Sequence, residues 1–177
     1  MTKPSSLRSR LIVAVATGFG LGNAPVASGT FGALLGVPLV LGFAALTLWW
    51  QVGVALLLTA LAIPICDAAE GLLGGKKDDG RIVADEYLTL PIAVIGLPLL
   101  ATFRQSPLNG LILLGTVFVL SRICDILKPF PARQIQRMKG GWGIVLDDFF
   151  ASAYAMILSH GALDLLRSFV FPLTSRG

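Results

Sequence analysis

The sequence predicts an all-α membrane protein, a polytopic helix bundle of about five spans preceded by an N-terminal interfacial or re-entrant segment. Three observations carry that expectation. Hydrophobic residues make up 55% of the 177-residue chain and charged residues only 14%, against roughly 25% charge in ordinary soluble domains. Mean hydropathy is +0.80. The apolar residues fall into runs close to the roughly 20 residues that a helix needs to cross a bilayer. Disordered and soluble classes are excluded, and 1–177 reads as one integral-membrane domain with a basic segment at 1–16 and an interfacial tail at 161–177.

The elements follow in order. Residues 1–10 are polar and basic (Lys3, Arg8, Arg10). The apolar stretch 11–22 is too short to cross, and it runs into a Gly/Pro/Ser segment unlike a signal-cleavage site. The first span is 31–50, with Thr30 as its N-cap and Trp49-Trp50 at the far interface. The second is 52–66, ending in Asp67, and the third is 87–103, directly after Asp85-Glu86. The fourth, 108–126, carries Arg122 and Asp125. The fifth, 144–159, has Asp147 and Asp148 in its first turn. Residues 161–172 are amphipathic and are expected to lie along the opposite interface or to extend the fifth helix. Cys66 and Cys124 sit within apolar runs, against a disulfide framework or thiolate zinc site, and the single histidine, His160, excludes chemistry that needs a histidine pair.

Alternating these spans sends the N-terminus and the 66–87 and 126–144 connections to one side. Eleven of the fourteen Lys and Arg belong there, leaving Arg104, Arg167 and Arg176 opposite, so the positive-inside rule makes this side cytoplasmic. Nine of the ten acids converge on it: Asp67 and Glu70; Asp78, Asp79, Asp85 and Glu86; Asp125; Asp147 and Asp148.

Carboxylates crowded at apolar helix ends need neutralisation, either by Lys and Arg or by a cation. Oxygen ligands without His or thiolate suit a hard ion such as Mg²⁺. Helical spacing aligns Asp85 with Thr89, Ala93 and Gly96, and Asp148 with Ala151, Ser152, Ala155 and Ser159. These small-residue faces place Asp85 and Asp148 toward the bundle interior, with Glu86 and Asp147 nearer its edge; they would also allow a homodimer. The bland alternatives are that first-turn acids merely stabilise the helix dipole, as is favoured for Asp78 and Asp79, and that glycines near Asn23 and Ser28-Gly29-Thr30 serve packing rather than cradle a phosphate at a helix N-terminus. Lys128 could bind phosphate. Arg133, Arg137 and Lys139 read as a lipid-surface group.

Four motifs in this order, Gly-Asn-Ala-Pro-Val-Ala-Ser-Gly-Thr-Phe-Gly (22–32), Asp-Gly-Arg-Ile-Val-Ala-Asp-Glu (79–86), Arg-Ile-Cys-Asp-Ile-Leu-Lys-Pro-Phe-Pro (122–131) and Gly-Gly-Trp-Gly-Ile-Val-Leu-Asp-Asp (140–148), resemble the phosphatidylglycerophosphatase A family. Ser28, Ala33 and Gln136 depart from its usual Pro, Ser and acid. The resemblance implies a Mg²⁺-dependent, multi-pass phosphatase of the bacterial inner membrane, its site facing the cytoplasm. Its substrate would be phosphatidylglycerophosphate and its product phosphatidylglycerol, in phospholipid biosynthesis; its partners would be membrane lipids, with no nucleic acid. The residue inventory then suggests Asp85, Glu86, Asp125 and Asp148 as metal ligands, and Asp147 or Asp67 to orient or deprotonate the nucleophile. Lys128 with Asn23, Ser28, Gly29 and Thr30 would hold the phosphoryl group. An aspartyl-phosphate route stays open. The alternative from another class is a divalent-cation membrane carrier without phosphatase activity, which would place its acids near mid-membrane.

Overall fold

The computed structural model describes residues 6–77 and 79–174, with side chains through residue 172. Lys3, Asp78 and Arg176 lie outside the described residues. The described chain is helical: α1 (Leu7–Ala16), a 3₁₀ segment (Gly18–Asn23), α2 (Ser28–Phe43), α3 (Leu48–Leu72), α4 (Ala84–Thr89) running into 3₁₀ residues Leu90–Val94, α5 (Leu99–Gln105), α6 (Pro107–Leu127), α7 (Ala132–Ile135) and α8 (Gly141–Leu165). A π segment (Leu166–Val170) and α9 (Phe171–Thr174) prolong α8, so the 161–172 stretch extends that helix.

Three helices are long and apolar enough to cross a membrane, α3, α6 and α8 with its extension; a fourth span arises if the pair formed by Ala84–Val94 and α5, bent by 70°, counts as one. Five straight spans therefore become three or four. Two differences account for this. The first expected span stops at Phe43, a 16-residue helix, and Trp49-Trp50 belong to the start of α3 instead. Helix α2 begins at Ser28 with Ala27 as its N-cap, which leaves Thr30 inside its first turn. The third expected span is broken, because Pro91 and Pro98 remove backbone donors and Gly96 turns the chain at a φ of 76° that L side chains avoid.

A broken helix at membrane depth is tolerated only where the freed backbone groups find protein partners. Buried Gln51 on α3 supplies one and also reaches the end of α2. Its Oε1 accepts from the Gly96 N–H at 2.9 Å, and its Nε2 donates to the Phe43 carbonyl at the end of α2 at 3.5 Å. The Ala84–Val94 half of the broken element is enclosed: Val83, Ala84, Thr89, Leu90, Ala93 and Val94 are buried, and it packs against α2, α3 and α8. A short helix with two acids in its first turn is better enclosed by protein than set against lipid. The long helices expose Leu56, Leu57, Leu111, Val119 and Ile157 instead, as a lipid-facing surface requires.

The small-residue face of α8 is also buried, through Ala151, Ser152, Ala155 and Ser159. Close packing there brings α8 against both α3 and α6. Cys66 and Cys124 sit in separate core clusters.

Replacing Gln51 by Met keeps the length but leaves the Gly96 N–H without its acceptor, while the Phe43 carbonyl keeps only its bond from the Leu46 N–H. The expected loss is about 1–3 kcal/mol, read as a lower unfolding midpoint of the detergent-solubilised protein. An unchanged midpoint would show that the break holds itself without α3.

Candidate active site

The polar residues gather at one end of the bundle. Three connections meet there. The Val83 N–H donates to the Ala16 carbonyl at 2.8 Å and the Tyr87 hydroxyl to the Val15 carbonyl at 2.8 Å, tying α1 to the start of α4. The Ser28 hydroxyl donates to the Gly80 carbonyl at 2.7 Å, fastening α2 to the 73–83 connection. Within that connection Asp79 pairs with Arg81 at 2.6 Å, and the Arg81 guanidinium also reaches the Leu73 carbonyl at 2.8 Å. The hydrogen bond from Arg81 holds the Asp79 carboxyl below the usual carboxylate range. Asp79 thus serves its own loop.

Helix α4 presents Asp85 and Glu86 in its first turn, α6 ends with Arg122 and Asp125 in its last turns, and Lys128 follows as its left-handed C-cap. Helix α8 starts at Gly141, three residues before the expected position, so Asp147 and Asp148 occupy its second turn. Arg122 sits between elements: Nη1 bonds Glu86 Oε2 at 3.1 Å, and Nη2 bonds Asp125 Oδ2. Lys128 Nζ bonds Asp147 Oδ2. Asp67 Oδ1 accepts from the Gly141 N–H at 3.1 Å, capping α8.

The expected orientation holds for Asp85 and Asp148, which are 8% and 6% exposed, and for half-buried Glu86. It fails for Asp147, the most buried of the acids among the described residues at 2%. Starting the helix earlier and folding the 128–140 connection back over it places Lys128 on Asp147, so the edge position is covered. Burial works against the Lys128 ammonium, but its hydrogen bond to Asp147 and the charges of Asp147, Asp148 and Asp125 outweigh it and raise its pKa above the usual lysine range. While Asp147 is ionised, the stabilisation that Lys128 draws from it is fully present below the ordinary lysine pKa and is lost as pH rises through the raised folded value.

Asp148 is distinct. It lies within hydrogen-bonding reach of Asp125 and in the field of Asp85 and Asp147, yet among the described residues no Lys or Arg forms an ion pair with it. It lines a crevice of about 10 Å³ with Glu86, Thr89, Arg122, Asp125 and Ser152, the room of one water or small ion. The Ser152 hydroxyl approaches Thr89 Oγ1 at 3.5 Å, and Thr89 Oγ1 donates to the Asp85 carbonyl at 2.7 Å. At the start of α2, Gly29 sits so close to the Glu86 carboxylate that a side chain there would collide with it.

The structure therefore brings Asp85, Glu86, Asp125, Asp147, Asp148, Lys128 and Gly29 together. It leaves Asn23 exposed with its amide on the Gly20 carbonyl at 3.3 Å, Thr30 exposed, and Asp67 at the start of α8. Arg122 was not among the expected site residues, although its spacing of three from Asp125 was the available signal. Thr89 and Ser152 were visible only as small packing residues. Among the described residues no three acidic, Cys or His side chains form a ready metal-ligand set. Mg²⁺ takes one or two carboxylates and fills its shell with water and phosphate oxygens, which fits two acids beside a crevice of this size. A four-carboxylate site competes with the Arg122 pairs.

A bundle of apolar helices that concentrates carboxylates, an arginine and a lysine at one end defines a membrane-helix protein with a polar reaction site at its rim. The chain belongs to the phosphatidylglycerophosphatase A family, whose model matches residues 14–163. It is 36% identical over 149 residues to a phosphatidylglycerophosphatase A of Haemophilus influenzae, covering 81% of this chain and 83% of that one. It is 32% identical over 152 residues to a phosphatidylglycerophosphatase A of Escherichia coli, covering 84% and 79%. It is also 35% identical over 164 residues, 89% and 94% of the two chains, to a Bacteroides thetaiotaomicron protein provisionally described as a phosphatidylinositol-3-phosphatase. No solved structure matches the chain.

Replacing Lys128 by Met leaves the Asp147 charge buried without its ammonium, with an expected loss of about 2–4 kcal/mol. The double variant Lys128→Met/Asp147→Asn should recover a large part of that loss in the same unfolding assay. Additive losses would mean that the two groups are not coupled.

Proposed function

We propose that this phosphatase hydrolyses the terminal phosphomonoester of phosphatidylglycerophosphate, releasing phosphatidylglycerol and inorganic phosphate for phospholipid biosynthesis. We place it in the bacterial inner membrane with the polar end toward the cytoplasm, in keeping with the Lys and Arg of the connections at that end. The observation that carries the reading is Asp148, a buried carboxylate without a cationic partner among the described residues, beside a small crevice and surrounded by other acids.

Asp148 and Asp85 would hold a Mg²⁺ ion, with Asp125 within reach as a third oxygen donor. When bound, the ion supplies Lewis acidity at the phosphoryl oxygens and lowers the pKa of a coordinated water. Arg122 pairs with Glu86 and Asp125 and holds them in place, and its guanidinium lines the crevice at whose mouth charge would develop on the transferring phosphoryl group. Asp147, held by Lys128 Nζ through Oδ2, accepts a proton from the attacking water. The water oxygen bonds to phosphorus, the phosphorus–ester oxygen bond breaks, and its electron pair leaves on the glycerol oxygen, which takes that proton. Lys128 orients Asp147 and adds positive charge at the rim. The acyl chains stay among the lipid while the headgroup reaches the end of the bundle.

A divalent-cation carrier would need its acids along a path through the bundle. Here Asp85, Glu86 and Asp125 stand at helix ends, and Asp147 and Asp148 stand two turns into α8 at the same end. Phosphate release from detergent-solubilised protein separates the two functions.

Asp85→Asn and Asp148→Asn should each lower that release by about a hundredfold or more while the protein still inserts into membranes. Wild-type-like turnover in both variants would remove this assignment. Treatment with EDTA should abolish release and added Mg²⁺ restore it. Phosphatidylglycerophosphate should be cleaved in preference to phosphatidylinositol 3-phosphate; the reverse preference would move the headgroup assignment to the second class of relative.

A further inference from the structure

The connection between α6 and α8 carries a second concentration of charge that hydrolysis does not use. Lys77, Arg133, Gln136 and Arg137 line a cleft of about 330 Å³ without a carboxylate among them. The Lys77 ammonium donates to the Arg137 carbonyl at 3.0 Å, which ties the 73–83 connection to the turn after α7 and leaves the ammonium's other two N–H donors for a ligand. Three cations facing one concavity repel one another unless an anion sits between them.

The surroundings indicate where that anion comes from. The same connection exposes Phe130 at 73% and Met138 at 47%, and Trp142 follows at 54%. Large apolar side chains with a tryptophan beside a basic cleft are arranged as at a bilayer interface, where rings enter the headgroup layer and cations meet lipid phosphates. A site for a soluble anion would have no need of that apolar border.

We propose that the Lys77–Arg133–Arg137 cleft is a docking site for the headgroup of an anionic phospholipid that remains in the bilayer, separate from the hydrolytic crevice. The two sites share an end of the bundle but no lining residue. The docking site stands independently of the hydrolytic assignment, because a phosphodiester lipid lacking a terminal phosphate satisfies it.

The test uses the full-length protein in phosphatidylcholine nanodiscs doped with spin-labelled phosphatidylserine, with the motionally restricted lipid read by electron paramagnetic resonance. The wild-type protein should retain a restricted component, and Lys77→Gln/Arg133→Gln/Arg137→Gln should weaken it by about one order of magnitude. Arg133→Gln alone, at an exposed position, should weaken it by a few-fold without disturbing the fold. Arg104→Gln/Arg167→Gln, away from the cleft, should leave it unchanged. Equal retention by the triple variant would overturn the proposal. So would displacement of the label by inorganic phosphate, which would make the occupant a free anion. Loss of the label in Asp148→Asn would place the lipid in the hydrolytic crevice and likewise end it.

Discussion

The bridge formed by Arg122 between Glu86 on α4 and Asp125 on α6 is the interaction on which the site depends. Carboxylates half-buried between apolar helices cannot stay ionised together without compensation, since desolvation and mutual repulsion both favour protonation. A guanidinium offers two N–H edges in one plane, so it can satisfy two acids from different helices where an ammonium would act as a point charge. Arg122 thereby fixes the separation of α4 and α6 at their polar ends. The Lys128–Asp147 pair does the same between the end of α6 and α8. With two cations committed to three acids, Asp148 is left as a buried acid to which neither is assigned.

The broken element explains how those acids reach one another. A continuous span over 87–103 would have run the full depth of the bundle against lipid, with Asp85 and Glu86 at an exposed end. Interrupting it after Val94 makes a short helix that can be enclosed by α2, α3 and α8. Gln51 meets the hydrogen-bonding cost of the interruption from the first turn of α3, at the other end of the bundle from the acids whose placement it permits. Position and chemistry are thus divided: the far end of the broken element satisfies backbone, and its near end carries charge.

Much of this was legible in the residues. The apolar runs marked α3, α6 and α8, and the spacing of Ala151, Ser152, Ala155 and Ser159 named the face that α8 buries. The grouping of nine acids anticipated the polar end. What could not be read was continuity. Hydropathy does not distinguish an apolar run that crosses from one that bends inside protein, and Pro91, Gly96 and Pro98 weighed too little against the Leu, Ile, Val, Ala and Phe around them. Burial of Asp147 was hidden for a related reason. Helical spacing assigns faces on one helix, but what covers a face is decided by another segment, here the connection that brings Lys128 back. Arg122 was passed over because an arginine near a helix end is also what membrane topology alone would place there.

The size of the crevice constrains how the pieces can work together. About 10 Å³ admits a water or an ion and excludes a phosphoryl group. The phosphorus must therefore approach from the mouth, while what occupies the interior is small enough to sit beside Asp148. Arg122 lines the same space and holds acids on either side of it, so its guanidinium faces both the interior and an arriving anion. In the proposed reaction an incoming phosphate would compete with Glu86 and Asp125 for those N–H groups, and Gly29 packs against Glu86 from the start of α2. In the proposed reaction, headgroup binding would thus be coupled to the spacing of α2, α4 and α6 through one side chain, a coupling that a lysine at the same position, with a single charged nitrogen, would not reproduce.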